Sequence, residues 1–392
     1  MSSMFDLENI IDTSLRYYAE RQDSVSEEEL QEKRSDLRKI AANTKLWFLN
    51  FVAKYHKILI PSLENVTLLS ADMDANPYIL RVPGKPIVFI ANHVSNFDSP
   101  ILGLHLYLND YPYPIIAAGK NLFTNSASSF LLKSGGAFEL KRDIPNREYM
   151  DFIGSYLRAS LEENIPTMIF PEDGRSRDGK LKEFKRGLIG LVLHSFFENQ
   201  KKKNPKIDDV VFVPIGIAYT KVPEDTYFFE NESSRAQRGL FKYVLKMRKC
   251  LEPTYVRIGR PISLKDYFAG SYPPLEEELK GEVSKDFAAY LRSKVRMTIP
   301  LLESDVFHHA MHAYIEEQST DTVHFEGFRK RVSNFRERIH SEGYHIIPAM
   351  ERTGDFFHRM RERLNEKELS YYGGRILDFF HFHRKEKDNS SK

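Results

Sequence analysis

Short apolar runs alternating with longer charged stretches give this 392-residue chain three textures. Residues 1–60 read as helical and charged. Ser24 or Ser26, just ahead of Glu27-Glu-Glu-Leu-Gln-Glu, predicts a helix start, because a serine oxygen can take a first-turn N–H and acids favour that end of the helix dipole. Apolar residues then recur at helical spacing over 46–60, placing Phe48, Phe51, Val52, Tyr55 and Leu59 on one face. Two readings of that face are open. It packs on the main domain, or it enters a lipid headgroup region, which Trp47, Lys54 and Lys57 would assist.

From about residue 80 to 265 the period changes. Apolar or β-branched runs at 87–91, 114–117, 167–170, 210–218 and 255–258 predict strands, and the stretches 147–163 and 187–199 between them predict helices. Strands alternating with helices imply an α/β fold, a mixed, mostly parallel sheet covered by helices, with helical N-terminal and C-terminal extensions. The expected divisions are a helical region over 1–79, the α/β domain over 80–268, a helical C-terminal region over 269–384 and a disordered tail over 385–392. In such sheets, active groups gather in loops at the carboxyl ends of strands.

Composition narrows the class. A formal charge of +2 gives no global field for nucleic acid, so anion binding must come from local clusters. The single cysteine, Cys250, excludes an intrachain disulfide and any multi-cysteine metal site. His381 and His383 have no acidic or cysteine cluster beside them, so a solvated helix is the expectation there and no metal is. The start of the chain is acidic where a secretory signal is basic. No apolar run approaches the ~18 residues of a membrane span. The 28 Phe and 20 Tyr suggest large apolar surfaces in the core, in a groove or at a membrane interface. A membrane role would therefore be peripheral, on the cytoplasmic face.

Four segments carry candidate chemistry. After the 87–91 strand comes Asn92-His-Val-Ser-Asn-Phe-Asp98-Ser-Pro. A histidine and an aspartate five positions apart, around a turn entering a helix, can hydrogen-bond. Asp98 would fix the His93 tautomer and leave the other ring nitrogen to take a proton from a hydroxyl. Asp98 as a helix cap beside a satisfied loop histidine is the alternative. The second segment, Gly135-Gly-Ala-Phe-Glu-Leu-Lys-Arg-Asp143, ends in Lys141 and Arg142, suited to a phosphate or to a solvated strand edge.

The third segment, 170–186, follows a strand and presents Gly174, Arg175, Ser176, Arg177 and Lys180. Between Arg175 and Arg186 six residues are basic and two acidic, and arginine forks suit phosphate in particular. Glu172 could hold those arginines or bind a substrate hydroxyl. The fourth, Phe212-Val-Pro-Ile-Gly-Ile-Ala-Tyr219, carries a proline that implies an edge, bulge or strand end and a glycine that leaves room for a close approach. It would border a groove for an acyl chain, or it is core.

In this order the four blocks resemble the glycerolipid acyltransferase superfamily, which carries His-x4-Asp, a Gly-Ala-Phe block ending in arginine, Phe-Pro-Glu-Gly-Thr-Arg-Ser-Arg, and a Val-Pro-Ile strand. The resemblance covers roughly residues 80–265. It implies that His93 is the general base and Asp98 its partner. It also implies that Arg142, Glu172, Arg175, Ser176 and Arg177 bind the acceptor, with Lys141, Gly174 and Lys180 nearby, and that Val213, Pro214, Ile215 and Gly216 shape the acyl-donor side. No cofactor is expected; acyl-CoA or acyl carrier protein brings the acyl group as co-substrate. One departure stands out: the family glycine after Glu172 is Asp173 here, and Gly174 follows where the family has threonine.

The second and fourth blocks look closer to enzymes acting on glycerol-3-phosphate or dihydroxyacetone phosphate, whereas Asn92-His93 and 177–187 look more like lysophosphatidate acyltransferases. The expectation leans to glycerol-3-phosphate. A non-catalytic membrane-surface lipid-binding module would fit the basic, aromatic stretches around Phe328 and Phe335 but needs no base. A thioesterase would leave the arginine loop without a use.

Overall fold

The computed structural model describes residues 3–22, 24–69, 80–141, 147–224, 252–269, 282–317, 324–362 and 365–390, with backbone alone from 382. Arg142, Cys250, His383 and the stretch from Pro274 expected to begin the C-terminal helices lie outside the described residues or side chains. Each apolar run expected to be a strand is one: β2 (Ile87–Ala91), β3 (Ile115–Gly119), β5 (Thr167–Ile169), β6 (Val211–Tyr219) and β7 (Thr254–Ile258). They are joined by β1 (Val66–Leu69), β4 (Ala137–Leu140) and β8 (Ile262–Ser263).

Across the sheet the order is β1-β7-β6-β2-β5-β3-β4, with β8 also beside β6. Strands β6, β2, β5, β3 and β4 are parallel, while β7 and β8 run antiparallel to β6. The crossovers are α4 (Asp98–Leu108), α5 (Ser126–Ser134), α6 (Arg147–Glu162) and α7 (Gly187–Gln200). All five residues of β2 are buried, as its unbroken apolar run requires of a strand covered on both faces. The expected α/β class is the observed one.

The N-terminal helices are α1 (Leu7–Ala19), α2 (Glu27–Ile40) and α3 (Leu46–Leu59). Ser26 caps α2 by accepting the Glu29 N–H. Helix α1 packs Ile11 and Tyr18 against Phe152 and Tyr156 of α6. In α3 the face that meets the core is Leu49, Val52 and Ala53, whereas Phe51 and Leu59 are exposed. The predicted face is thus rotated from the buried one. Apolar residues ring most of α3, so spacing alone could not select the side that packs.

Two expected boundaries run through continuous packing. Strand β1, within 1–79, belongs to the sheet. Helix α8 (Glu282–Thr298) places Phe287, Leu291 and Val295 in one cluster with Val88, Ile90 and Phe212. Beyond it lie α9 (Glu303–Glu317), α10 (Phe325–Ser341), α11 (Thr353–Glu362) and α12 (Glu366–Ser390), around Phe307, Phe328, Phe356 and Phe379. A two-stranded sheet of β9 (Leu301–Leu302) and β10 (Ile346–Ile347) sits among them, so the region is not wholly helical. Helix α12 is described through Ser390, and residues 391–392 of the tail lie outside the described residues.

Helix α12 closes on the loop after β5 at two glycines. A Cβ on Gly179 would lie 1.8 Å from the Tyr371 carbonyl oxygen, and one on Gly374 would lie 2.2 Å from that of Asp178. Gly179 also has φ +73°, which L side chains rarely adopt. Gly179→Ala should therefore cost about 1–3 kcal/mol for the overlap and about 1 kcal/mol for the backbone. Urea unfolding measures it; a change of only a few tenths would mean that α12 does not hold the loop this closely.

Candidate active site

Three neighbouring strands bring distant segments together. Strand β2 lies between β5 and β6, so the turn at 92–98, the loop after Ile169 and the end of β6 meet at one edge of the sheet. Asn92 extends the β2–β6 ladder past Ala91: its side chain donates to the Ile217 carbonyl at 3.0 Å and accepts the Ile217 N–H at 2.8 Å. The chain then turns, and His93 Nδ1 lies 2.8 Å from Asp98 Oδ2. That oxygen also accepts the N–H groups of Val94 (2.6 Å) and Ser95 (2.9 Å). The other, Oδ1, accepts the Tyr219 hydroxyl at 2.6 Å. Asp98 opens α4 but draws its main-chain donors from the turn before it, so it organises the turn rather than capping the helix.

A carboxylate that only accepts assigns the proton to His93 Nδ1 and leaves Nε2 with its lone pair. The His93 side chain keeps 18% exposure above a fully buried Asp98, and its ring lies 4.8 Å from that of Phe170. Burial beside Asp98 raises the Tyr219 phenol well above its ordinary range, so it remains a donor.

The loop after β5 is fastened to this turn. Ser176 N–H donates to the His93 carbonyl at 2.8 Å. Glu172, expected to bind the acceptor, is buried, and its oxygens accept the His93 N–H (2.6 Å) and the Lys182 N–H (3.0 Å). It serves the loop's framework. Burial pushes its carboxyl up to about 7, with the two N–H groups opposing. Asp173 and Gly174 both take positive φ, +51° and +113°. Aspartate tolerates the first value, and the second needs glycine. The departure from the family pattern is thus absorbed by the backbone. Lys182 Nζ donates to the carbonyls of Gly174 (3.3 Å) and Arg175 (2.7 Å), holding the turn.

Arg175 Nη1 lies 3.1 Å from Glu224 Oε1. Ser176 is buried and donates to Asp178, while Arg177 is exposed and Lys180 half-buried. Lys141 follows β4, which β5 and β3 separate from β2, so it stands about 14 Å to the side at ordinary strand spacing. Its ammonium sits over the Tyr149 ring.

Of the two readings of the fourth segment, groove border or core, its burial matches the core. Val213, Pro214 and Ile215 are buried, and a Cβ on Gly216 would lie 2.4 Å from the Thr298 carbonyl oxygen. Among the described residues, what approaches Gly216 is the end of α8. Pro214 lies in a central strand, opposite the break between β8, which pairs with 211–212, and β7, which pairs with 215–219. No ladder N–H is required there, which is why a proline is tolerated.

Two contributors were not singled out from sequence. Tyr219 was grouped with the donor strand, yet its hydroxyl serves Asp98. Glu224 accepts from Ser95 Oγ (2.7 Å), Asn96 N–H (2.9 Å) and Arg175, linking the histidine turn to the arginine loop. The signal available was their position, at and just past the end of a strand bordering β2. Helix α12 adds a rear wall: Arg375 donates to the Tyr219 carbonyl (2.9 Å) and pairs with buried Asp305 (3.1 Å), and the Tyr372 hydroxyl accepts the Val222 N–H (2.9 Å).

Residues 72–218 match the model of the family described as Acyltransferase. Over 238 residues the chain is 29% identical to the glycerol-3-phosphate acyltransferase of Pseudomonas savastanoi pv. phaseolicola, covering 59% of this chain and 26% of that protein. Over 267 residues it is 30% identical to the glycerol-3-phosphate acyltransferase of Pasteurella multocida, covering 66% of this chain and 32% of that one. The chain therefore spans about a quarter to a third of the length of these relatives. The resemblance to the glycerolipid acyltransferase superfamily is borne out.

Tyr219→Phe removes one donor from a buried carboxylate and should lower stability by about 1.5–3 kcal/mol, read by urea unfolding; no change would mean that Asp98 does not depend on it. Glu172 gives a pH signature. Its folded pKa, about 7, exceeds its ordinary 4.5, so the native state holds the extra proton between those values. Its contribution to stability is complete below 4.5 and is lost as pH rises through about 7. Glu172→Gln should flatten that fall in Tm across the window; an unchanged slope would assign it to another group.

Proposed function

We propose that this chain, with its acyltransferase-family domain over residues 72–218, is an O-acyltransferase of phospholipid synthesis that moves a fatty acyl group from a thioester to a hydroxyl of glycerol-3-phosphate. The observation that carries the reading is His93 Nδ1 held against buried Asp98, with Nε2 left open beside the Arg175–Arg177 loop. A binding module has no use for an oriented base, and a thioesterase has none for the arginines.

In this reading Nε2 accepts the acceptor's hydroxyl proton as its oxygen attacks the thioester carbonyl. Asp98 steadies the imidazolium. Collapse of the tetrahedral species expels the thiolate, which takes up the proton, and His93 returns to its starting form. The thioester is already activated, so positioning and one base suffice. Arg177, on the exposed part of the loop, and Arg175, steadied by Glu224, would hold the phosphate in bidentate fashion. The donor is acyl-CoA or an acyl carrier protein. Among the described residues no helix is long and apolar enough to cross a membrane, and the enzyme would work peripherally at a membrane surface.

His93→Ala should abolish acyl transfer in a chain that still folds, with a loss of about 1.5–3 kcal/mol for the donor taken from Asp98, read by urea unfolding; wild-type turnover in that variant would remove the mechanism. Arg175→Ala should raise KM for the phosphorylated acceptor more than it lowers kcat. Assays with palmitoyl-CoA and each acceptor decide the substrate: turnover of lysophosphatidate alone would overturn the choice of glycerol-3-phosphate.

A further inference from the structure

Large apolar side chains left in solvent are concentrated in one place. Of fourteen such residues among those described, five lie on α3 and three on the segment running from the end of β3 through α5. On α3, Trp47, Phe51 and Ile58 fall on one helical face, opposite the Leu49 and Ala53 side that packs on the core. Leu122, Phe130 and Leu131 are exposed on the second segment. The two segments adjoin, since Lys45 N–H donates to the Ser134 carbonyl at 3.0 Å and Gly135 lies beside the Phe48 ring.

Charge says what such a face can meet. The chain has 55 acidic residues in 392, about one in seven, yet neither 37–63 nor 111–138 contains any. Those stretches carry Lys45, Lys54, Lys57, Lys120 and Lys133. Glu64, just past the first, pairs with Lys57 at 2.9 Å. Tryptophan and phenylalanine with lysines around them and no carboxylates within form the pattern of a helix lying in an anionic lipid interface.

Topology adds a direction. Strand β1 is parallel to β7 and therefore opposed to β6 and β2, and Val66 aligns through Thr254 with Tyr219, at the edge that holds His93. Ile58 and Leu59, one short turn before Val66, thus lead up to that edge, and Lys120 and Leu122 leave the carboxyl end of β3 on the same side.

We infer that the exposed face of α3, with the adjoining 120–131 segment, docks on an anionic lipid surface and sets the His93 edge of the sheet at that interface. This deepens the acyltransferase reading by naming its membrane contact, but it can be tested without turnover. The full chain should float with vesicles of phosphatidylcholine and phosphatidylglycerol in equal parts, and less with phosphatidylcholine alone. Combined Trp47→Glu, Phe51→Glu and Ile58→Glu should cut that partition at least tenfold while preserving the unfolding midpoint and the rate with water-soluble butyryl-CoA. Met350→Glu, at an apolar residue 83% exposed in the C-terminal region, should leave both unchanged. Wild-type partition in the triple variant would overturn the inference. So would a wild-type dimer that the triple variant makes monomeric, since a second copy would then cover the face. Vesicle binding without acyl transfer to any acceptor would leave this inference standing and sink the acyltransferase reading instead.

Discussion

A carboxylate sealed from water must be met by donors, and Asp98 is met by four: the His93 ring, the Val94 and Ser95 amides and the Tyr219 hydroxyl. An unpaired charge at that depth would cost several kcal/mol, so each partner is a structural requirement as well as a chemical one. The requirement spreads outward. Tyr219 can reach Asp98 because β6 pairs with β2, and its main-chain carbonyl is in turn taken by Arg375 from α12. Arg375 is itself buried and answered by Asp305, whose carboxyl burial lifts to about 6 against the pull of that arginine. The C-terminal helices thus share one chain of buried polar contacts with the histidine turn.

Local pattern carried the parts of this arrangement that are local. Continuous apolar runs gave the five strands, the serine before three glutamates marked the start of α2, and the five-residue spacing of His93 and Asp98 matched the contact they make. What spacing could not disclose was which strands become neighbours. The order β5-β2-β6 is decided by crossovers and by packing on both faces of the sheet, so Glu172, Tyr219 and Glu224 converge on a turn 79 to 129 residues earlier in the chain. Pro214 and Gly216 depend on neighbours that local pattern does not name. The rule that proline marks an edge speaks of a missing N–H, and here the neighbouring strand happens to be interrupted at that point. The room left by Gly216 is real but is filled by the end of α8.

Asp173 was the conspicuous irregularity of the arginine loop, and the geometry explains why it is tolerated. Two successive positive φ values turn the carbonyls of Gly174 and Arg175 toward Lys182, whose ammonium holds both. The strained pair and the lysine form one device, so this lysine's charge is committed to the backbone. Counting basic residues therefore overstates what the loop offers a ligand. Arg175 is tied in part to Glu224, Lys180 is half-buried, and Arg177 remains toward solvent.

That division of charge sets how the base and the anion site can differ in stiffness. His93 is bound at its ring, its amide and its carbonyl, to Asp98, Glu172 and Ser176 respectively. Freeing it would break contacts in two segments at once. Arg177 sits on the exposed part of the loop, so its side chain can follow a ligand without moving the base. Glu224 occupies the junction: it accepts from the turn through Ser95 and Asn96 and from the loop through Arg175. Its own carboxyl is raised by burial, with Arg175 first among the groups opposing that rise. An anion drawing Arg175 away would therefore weaken a contact that also supports the turn, coupling occupancy of the loop to the setting of His93 through a single carboxylate.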